Sequence, residues 1–307
     1  MRYGKFLLLT LAAGSIALAV SASGAVPESR SVSYVALELD SAFVGYVDAC
    51  QVATSDTGLL VDKTGLSMDI ANLHATEITF QADAAMGKPM YDWIKASFDK
   101  PLSTGGRKDG AIIYADFNRK ELSRLSFQNA LITEVGMPAL DATSKDAAKM
   151  TIKILPESTS RTFPKKPNQI SERKQKAWLC SNFRFELGRV QLKGSMSACQ
   201  QSPMYNRALD RPAAQVASVT FDPQDLQAFL DWQQALYCSG APQESSESAC
   251  TFTYLDPDGA TLFTSSFVST GLFKLTPNAD ATGSVVSYTA QLYVIGGGSF
   301  DSFATTP

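Results

Sequence analysis

The chain has 307 residues, 45% hydrophobic, 10% aromatic and 19% charged, a globular composition that excludes a disordered chain. A mean hydropathy of −0.05 and a single long apolar run exclude a polytopic membrane protein. The 27 Lys and Arg against 30 Asp and Glu leave −3, with no global basic field to attract nucleic acid, and one histidine, His74, removes most metal-site and Ser-His-Asp chemistry.

Residues 1–25 read as a secretory signal peptide. Arg2 and Lys5 form a positive head, Phe6 to Val20 is uncharged and apolar, and Ser23-Gly24-Ala25 offers the small residues that a signal peptidase reads. The apolar run is short for a spanning helix. Cleavage after Ala25 removes Arg2 and Lys5 and moves the balance from −3 to −5. It leaves no membrane span and predicts a secreted or periplasmic location, where cysteines can pair. There are five: Cys50, Cys180, Cys199, Cys238 and Cys250. The odd count leaves at least one thiol free or intermolecular. Cys238 and Cys250 bracket a short polar loop and are the disulfide candidate, worth roughly 3 kcal/mol in the chain-entropy account. No Cys-x-x-Cys spacing points to zinc.

After the signal the chain reads as one pattern written twice, over 31–157 and 180–300. YVALELDSAFVGYVDAC (34–50) aligns with FRFELGRVQLKGSMSAC (183–199), placing Gly45 on Gly194 and Cys50 on Cys199. ITFQADAAMGKPMYDWI (78–94) aligns with VTFDPQDLQAFLDWQ (219–233), Phe80 on Phe221 and Trp93 on Trp232. IIYADFNRKELSRLSF (112–127) aligns with TFTYLDPDGATLFTSSF (251–267), and Asp141-Ala-Thr143 with Asp280-Ala-Thr282. The final runs, MTIKIL (150–155) and AQLYVI (290–295), complete each unit.

Each unit predicts a β-run ending at a glycine, a second β-run entering a short helix, a hairpin and a late strand. The first helix is expected over Met90 to Phe98, with Met90, Trp93, Ile94 and Phe98 on one apolar stripe. In the second, Asp222 suits the N-cap and Pro223 the first helical position, with Leu226, Phe229, Leu230 and Leu236 as the stripe. Trp93 and Trp232 then read as core rather than as a ligand platform. Asp256-Pro-Asp-Gly259 is a hairpin turn; the third acidic ligand and the distal glutamate of a calcium loop are missing. Met150, Ile152 and Ile154, and Ala290, Leu292 and Val294, alternate with wetter residues, so each late strand buries one face.

Between the units, 158–179 is basic and proline-containing and reads as a solvated, partly extended linker, with a docking arm for an anionic partner as the alternative. Gly296-Gly-Gly298 onward reads as a mobile tail or an arm that orders on a neighbour, with 301–307 as the C-terminal tail. No Gly-x-Ser-x-Gly, His-Glu-x-x-His, phosphate-cradling or dinucleotide motif occurs. Asp141 and Asp280 recur at equivalent places, as the same Asx-turn would require.

The order of these features resembles the phage tail-tube superfamily, which includes the hemolysin-coregulated tube protein of type VI secretion. The resemblance lies in MYDWI (90–94), RKDGAIIYADFNRKELSRLSFQNALITEV (107–135) and Leu140-Asp-Ala-Thr143. It recurs in LKG (192–194), VTFDPQDLQAFLDW (219–232) and DGATLFTSSFVSTGLFKL (258–275). It implies a mainly β chain with one short helix per unit: two tandem antiparallel β-barrel or sandwich domains of tail-tube type. It also implies a non-enzymatic structural role, with no cofactor, metal or catalytic residue. The expected partner is the chain itself, as a homo-oligomer in a ring or stacked tube, where a trimer of two-barrel chains would close a pseudo-sixfold ring. The signal peptide departs from that family, whose members are made in the cytoplasm. A secreted monomeric β-sandwich that binds a glycan or surface partner through Tyr237 or Phe300 is the alternative. A secreted hydrolase lacks a nucleophile–base constellation.

Overall fold

The computed structural model describes residues 31–52, 59–61, 68–70, 77–83, 86–99, 106–171, 178–205, 215–238, 240 and 243–301; the expected signal peptide, His74 and the tail after 301 lie outside them. The described chain is mainly β, in two large antiparallel sheets, each with one α-helix, and a separate two-stranded sheet. None of its helices is long and apolar enough to cross a membrane.

The first lobe begins with β1 (Tyr34–Leu39) and β2 (Ala42–Tyr46), joined at Asp40-Ser41. Both turn residues have positive φ, 48° and 68°, the left-handed pair that matches the twist of a two-residue hairpin. The β-run read over 34–50 is therefore a hairpin followed by β3 (Asp48–Val52). A small hairpin, β4 (Leu59–Val61) and β5 (Met68–Ile70), precedes β6 (Ile78–Ala82) and α1 (Lys88–Asp99). Met90, Trp93 and Ile94 are buried as the stripe predicted, and Tyr91 is buried beside them. After α1 come β7 (Lys108–Ala115), the long β8 (Glu121–Gly136), the short β9 (Leu140–Asp141), β10 (Met150–Leu155) and β11 (Ser158–Thr162).

The described part of the expected linker is held against the first lobe. Its first five residues are β11, paired to β8. Ile170 is buried against Ala36, Ala111, Ile113 and Ala115, and the Tyr46 hydroxyl donates to Ser171 O at 2.8 Å. β11 exists because β8 overruns its pairing with β10 and offers a second partner edge at Arg124–Gln128.

The second lobe contains β12 (Phe183–Leu187), β13 (Met196–Gln201), β14 (Met204–Tyr205) and β15 (Gln215–Phe221). A 3-10 turn at Pro223–Asp225, α2 (Leu226–Cys238), β16 (Ser248–Leu255), β17 (Thr261–Ala279) and β18 (Val285–Asp301) follow. Asp222 caps the helical segment, its carboxylate accepting from the Gln224 N–H at 2.9 Å, with Pro223 next. Of the two readings of 296–300, a mobile tail or an ordering arm, the mobile one does not hold: these residues are the end of β18. It pairs with β17, and Phe300 is buried.

The strand paths correspond. The first sheet runs β1-β7-β8-β10-β6-β3 with β2 added outside β1, and the second runs β12-β16-β17-β18-β15-β13. In each, the helix links the strand of fifth place to the strand of second place. Both helices anchor a tryptophan alike: Trp93 Nε1 donates to Gly106 O, and Trp232 Nε1 donates to Ser246 O at 2.9 Å. The hairpin turns match as well. Asp116 accepts from the N–H groups of Asn118 and Lys120, and Asp256 from those of Asp258 and Ala260. The left-handed position is Arg119 (φ 61°) in one and Gly259 (φ 84°) in the other.

The lobes differ at the outer edge of the first strand. The second has no counterpart of β2 among the described residues; a loop over 188–195 stands there instead. Buried Asp225 secures that loop, accepting from the N–H groups of Lys193 at 2.8 Å and Gly194 at 2.9 Å. A carboxylate is suited to this place because it satisfies two loop donors that lack a strand partner.

Candidate assembly surfaces

The surfaces with the clearest recognition chemistry are strand edges. Each lobe lends a short strand to the other's sheet. β9 of the first lobe pairs with the edge of β13, Leu140 opposite Cys199 and Asp141 opposite Ala198. β14 of the second lobe pairs with β8, Met204 opposite Val135 and Tyr205 opposite Glu134. The Ala142 N–H donates to Ser197 O at 2.8 Å, the Ala148 N–H to Trp178 O at 2.7 Å and the Cys180 N–H to Asp146 O at 3.0 Å. An unpaired strand edge is a row of unsatisfied donors and acceptors, and main-chain pairing of this kind satisfies it without specific side chains.

Side chains reinforce the junction. Tyr91 of α1 packs on Phe263 with ring centroids 6.3 Å apart, and Phe98 meets Phe300 edge-on at 5.4 Å. Lys95 Nζ donates to Phe300 O at 3.3 Å. Beside the β14 pairing, Lys153 Nζ lies 2.8 Å from Glu134, and that hydrogen bond holds the ammonium above its ordinary range. One hydrophobic cluster then runs through both lobes, including Leu140, Trp178, Cys199 and Met204.

The recurrent aspartates are turn formers. Asp141 Oδ1 accepts from Thr143 N at 2.7 Å and from its hydroxyl at 2.7 Å; Asp280 Oδ1 accepts from Thr282 N at 2.8 Å and from its hydroxyl at 2.6 Å. These bonds, the hydroxyl bond foremost, hold both exposed carboxyls below the ordinary range. Yet the two turns have different surroundings. Around Asp141, Leu140 and Ala148 are buried, whereas around Asp280 the tip is exposed, including Val285 and Val286 at 44% and 54%.

Cys238 and Cys250 are both free thiols, and the expected bridge between them is not formed in this structure. Cys238 is exposed at the end of α2, while strand alternation turns Cys250 into the core. Burial pushes the Cys250 thiol up to about 12, raises Cys199 further, and also raises Cys50 and Cys180. These four are protonated thiols at neutral pH rather than nucleophilic thiolates. The ladders also shift the cysteine match. Val52, not Cys50, stands opposite Ile78 as Cys199 stands opposite Val219. Among the described residues, no group of three or more His, Cys, Asp or Glu side chains gathers to hold a metal.

Of the aromatics expected as a binding platform, Phe300 is 1% exposed and excluded from that role, whereas Tyr237 is 51% exposed. Leu230, expected on the buried stripe of α2, is 39% exposed. Trp93 and Trp232 are core. The residues missed from sequence are those of the junction, Tyr91, Phe98, Leu140 and Met204. A usable signal was present in Pro138-Ala-Leu-Asp-Ala-Thr143 and its echo Pro277-Asn-Ala-Asp-Ala-Thr282.

No family model matches the sequence, and no curated protein matches it. Among solved structures, the chain is similar to a protein of the extended PVC sheath–tube complex of an extracellular contractile injection system. The identity is 21% and the TM-score 0.38, over 45% of this chain and 95% of that one. A protein of the PVC sheath/tube terminator matches at 20% identity and TM-score 0.37, over 45% and 99%. The tube-terminating cap of the anti-feeding prophage matches at 23% identity and TM-score 0.39, over 48% and 100%.

Proposed function

We propose that this is an exported structural protein whose lobes are tandem copies of one tail-tube-like module, and that it assembles through β-edge contacts into rings or stacked tubes. A trimer of two-lobed chains is the expected closed unit. The observation that carries the reading is the reciprocal strand pairing at the lobe junction, β9 on β13 and β14 on β8. A module that joins its neighbour within the chain by strand addition has the means to join a neighbour in another chain. A head-to-tail contact of this kind generates a ring when its rotation closes. The common strand path, the paired tryptophan anchors and the paired Asx-turns support the tandem origin.

The ionisable groups support a structural rather than catalytic role, because seven of the described carboxylates are engaged in shaping the fold. Asp116, Asp141, Asp256 and Asp280 close turns, Asp225 secures a loop, and Glu38 and Glu121 hold Arg124 at 2.7 and 2.9 Å. Export is supported by the pattern of residues 1–25.

Light scattering across a concentration series, with negative-stain microscopy, tests the assembly. The expected result is a mass at multiples of the chain's own, with rings in the images. A single species at the mass of one chain at every concentration refutes it. N-terminal sequencing of the exported protein tests the address, with Val26 expected first.

A further inference from the structure

We propose that the chain displays, unpartnered, a second copy of the interface that joins its own lobes. Its occupant is a second copy of this chain, bound head to tail: the β17–β18 tip of one copy lies on the β3 edge of the next, and α2 lies over its β8 and β11, the strands that match those carrying Phe263 and Phe300. The inference deepens the assembly reading above and rests on it.

Three observations lead to it. Counting from the two anchored tryptophans, Tyr91 of α1 corresponds to Leu230 of α2, and Phe98 to Tyr237. In the first lobe this pair faces the second, packed on Phe263 and Phe300. In the second lobe the same two places carry Leu230, 39% exposed, and Tyr237, 51% exposed, its hydroxyl tied to Leu272 O at 2.8 Å and its ring left toward solvent. A helix face open to water favours polar side chains, so apolar residues at these two places mark a surface that meets something.

The second observation is the turn written twice. Pro138 to Thr143 lies against the β13 edge, with Leu140 buried; Pro277 to Thr282 forms the same Asx-turn with Ala279, Val285 and Val286 exposed. The third is the receiving edge. β13 is covered by β9, but its positional equivalent β3 ends the first sheet among the described residues. Leu230 and the Tyr237 ring are thus left toward solvent on the second lobe, and among the described residues the acceptor edge is open on the first. Only another copy supplies both in the geometry already used inside the chain. The contact is heterologous, so each copy gives one face and receives on the other.

The ladders fix the register. Val52 occupies the place of Cys199, and Ala279 the place of Leu140. The repeated contact therefore sets Val52 of one copy opposite Ala279 of the next. Opposed residues of an antiparallel pair have Cα atoms roughly 4.5–5.5 Å apart, within the span of a disulfide.

The test is the full chain carrying Val52→Cys and Ala279→Cys with Cys238→Ser, mildly oxidised and run on non-reducing gels beside each single-cysteine variant. Reducible multimers from the double variant alone are expected, and they fade on dilution before oxidation. Leu230→Asp, at an exposed position, is expected to lower the scattering mass while leaving circular dichroism unchanged; it decides the matter should the double variant not fold. Multimers of the unmodified chain that neither cross-link in the double variant nor shrink in Leu230→Asp overturn this contact and leave assembly standing. A lone monomer at all concentrations overturns both.

Discussion

Two truncations at corresponding helical positions should have unequal costs. Tyr91 is 2% exposed and packs on Phe263 across the lobe junction. Its replacement by alanine removes a ring burying on the order of 150–200 Å². At about 25 cal/mol per Å², and allowing for the surface that alanine still buries, the loss is about 3–4 kcal/mol, with any residual cavity adding to it. Leu230, at the corresponding place on α2, already faces water in the single chain. Leu230→Ala should change the stability of that chain by no more than about 0.5 kcal/mol, the range of surface substitutions. Urea unfolding followed by tryptophan fluorescence, at a concentration where scattering reports monomer, measures both. Equal costs would show that α2 buries this face within the chain and would refute the difference drawn between the helices. A cost for Leu230→Ala that appears only at high concentration is the expected sign of the face being covered by another copy, since whatever binds the native state alone stabilises it by mass action.

Asp225→Ala strands two backbone donors, those of Lys193 and Gly194, and should cost about 2–5 kcal/mol, with Asp225→Asn recovering part of it in thermal unfolding. Gly259→Ala places a side chain at φ 84° and should cost about 1 kcal/mol, while Arg119→Gly at the matching turn should gain up to about as much. The carboxyls of Asp141 and Asp280 are held below the ordinary range, so their stabilisation is present at neutral pH and is lost as pH falls through the lowered folded values. The joint variant Asp141→Asn with Asp280→Asn keeps the acceptor without titrating and should flatten the stability profile below about pH 4; an unchanged slope there refutes the assignment.

Much of the fold was legible in residue patterns because local chemistry decided it. Asp222-Pro223 starts a helical segment, Asp256-Pro-Asp-Gly259 closes a hairpin, and Met150, Ile152 and Ile154 alternate inward, all for reasons contained in a few neighbouring residues. What pattern could not supply was pairing over long separations. Asp40-Ser41 is polar like many loops, and only its two left-handed residues turn the 34–50 run into a hairpin. Gly296 to Phe300 looks like a flexible arm until β17 gives it a ladder and Phe98 gives Phe300 a neighbour. Cys238 and Cys250 are close in sequence, but one ends a helix in water and the other faces a core. For the assembly surfaces, the repeated Asp-Ala-Thr was visible as a turn; that one copy would be buried against a neighbouring lobe and the other left at a tip depends on the lobe arrangement.

That inequality between matching residues separates two properties that usually travel together. In a chain with one lobe, the residues that hold the interface and those that hold the fold respond to the same dilution. Here the first interface lies within the chain, where the tether supplies an effective concentration on the order of millimolar or more, so Tyr91, Phe98 and Leu140 contribute to folding at any dilution. Leu230, Tyr237 and Ala279 hold the matching places without that tether, and whatever they contribute must scale with the amount of protein. Substitutions in the first set should therefore move the unfolding midpoint and those in the second the association midpoint. The helix pair Tyr91 and Leu230 is where the two effects can be measured against each other with the least change in chemistry.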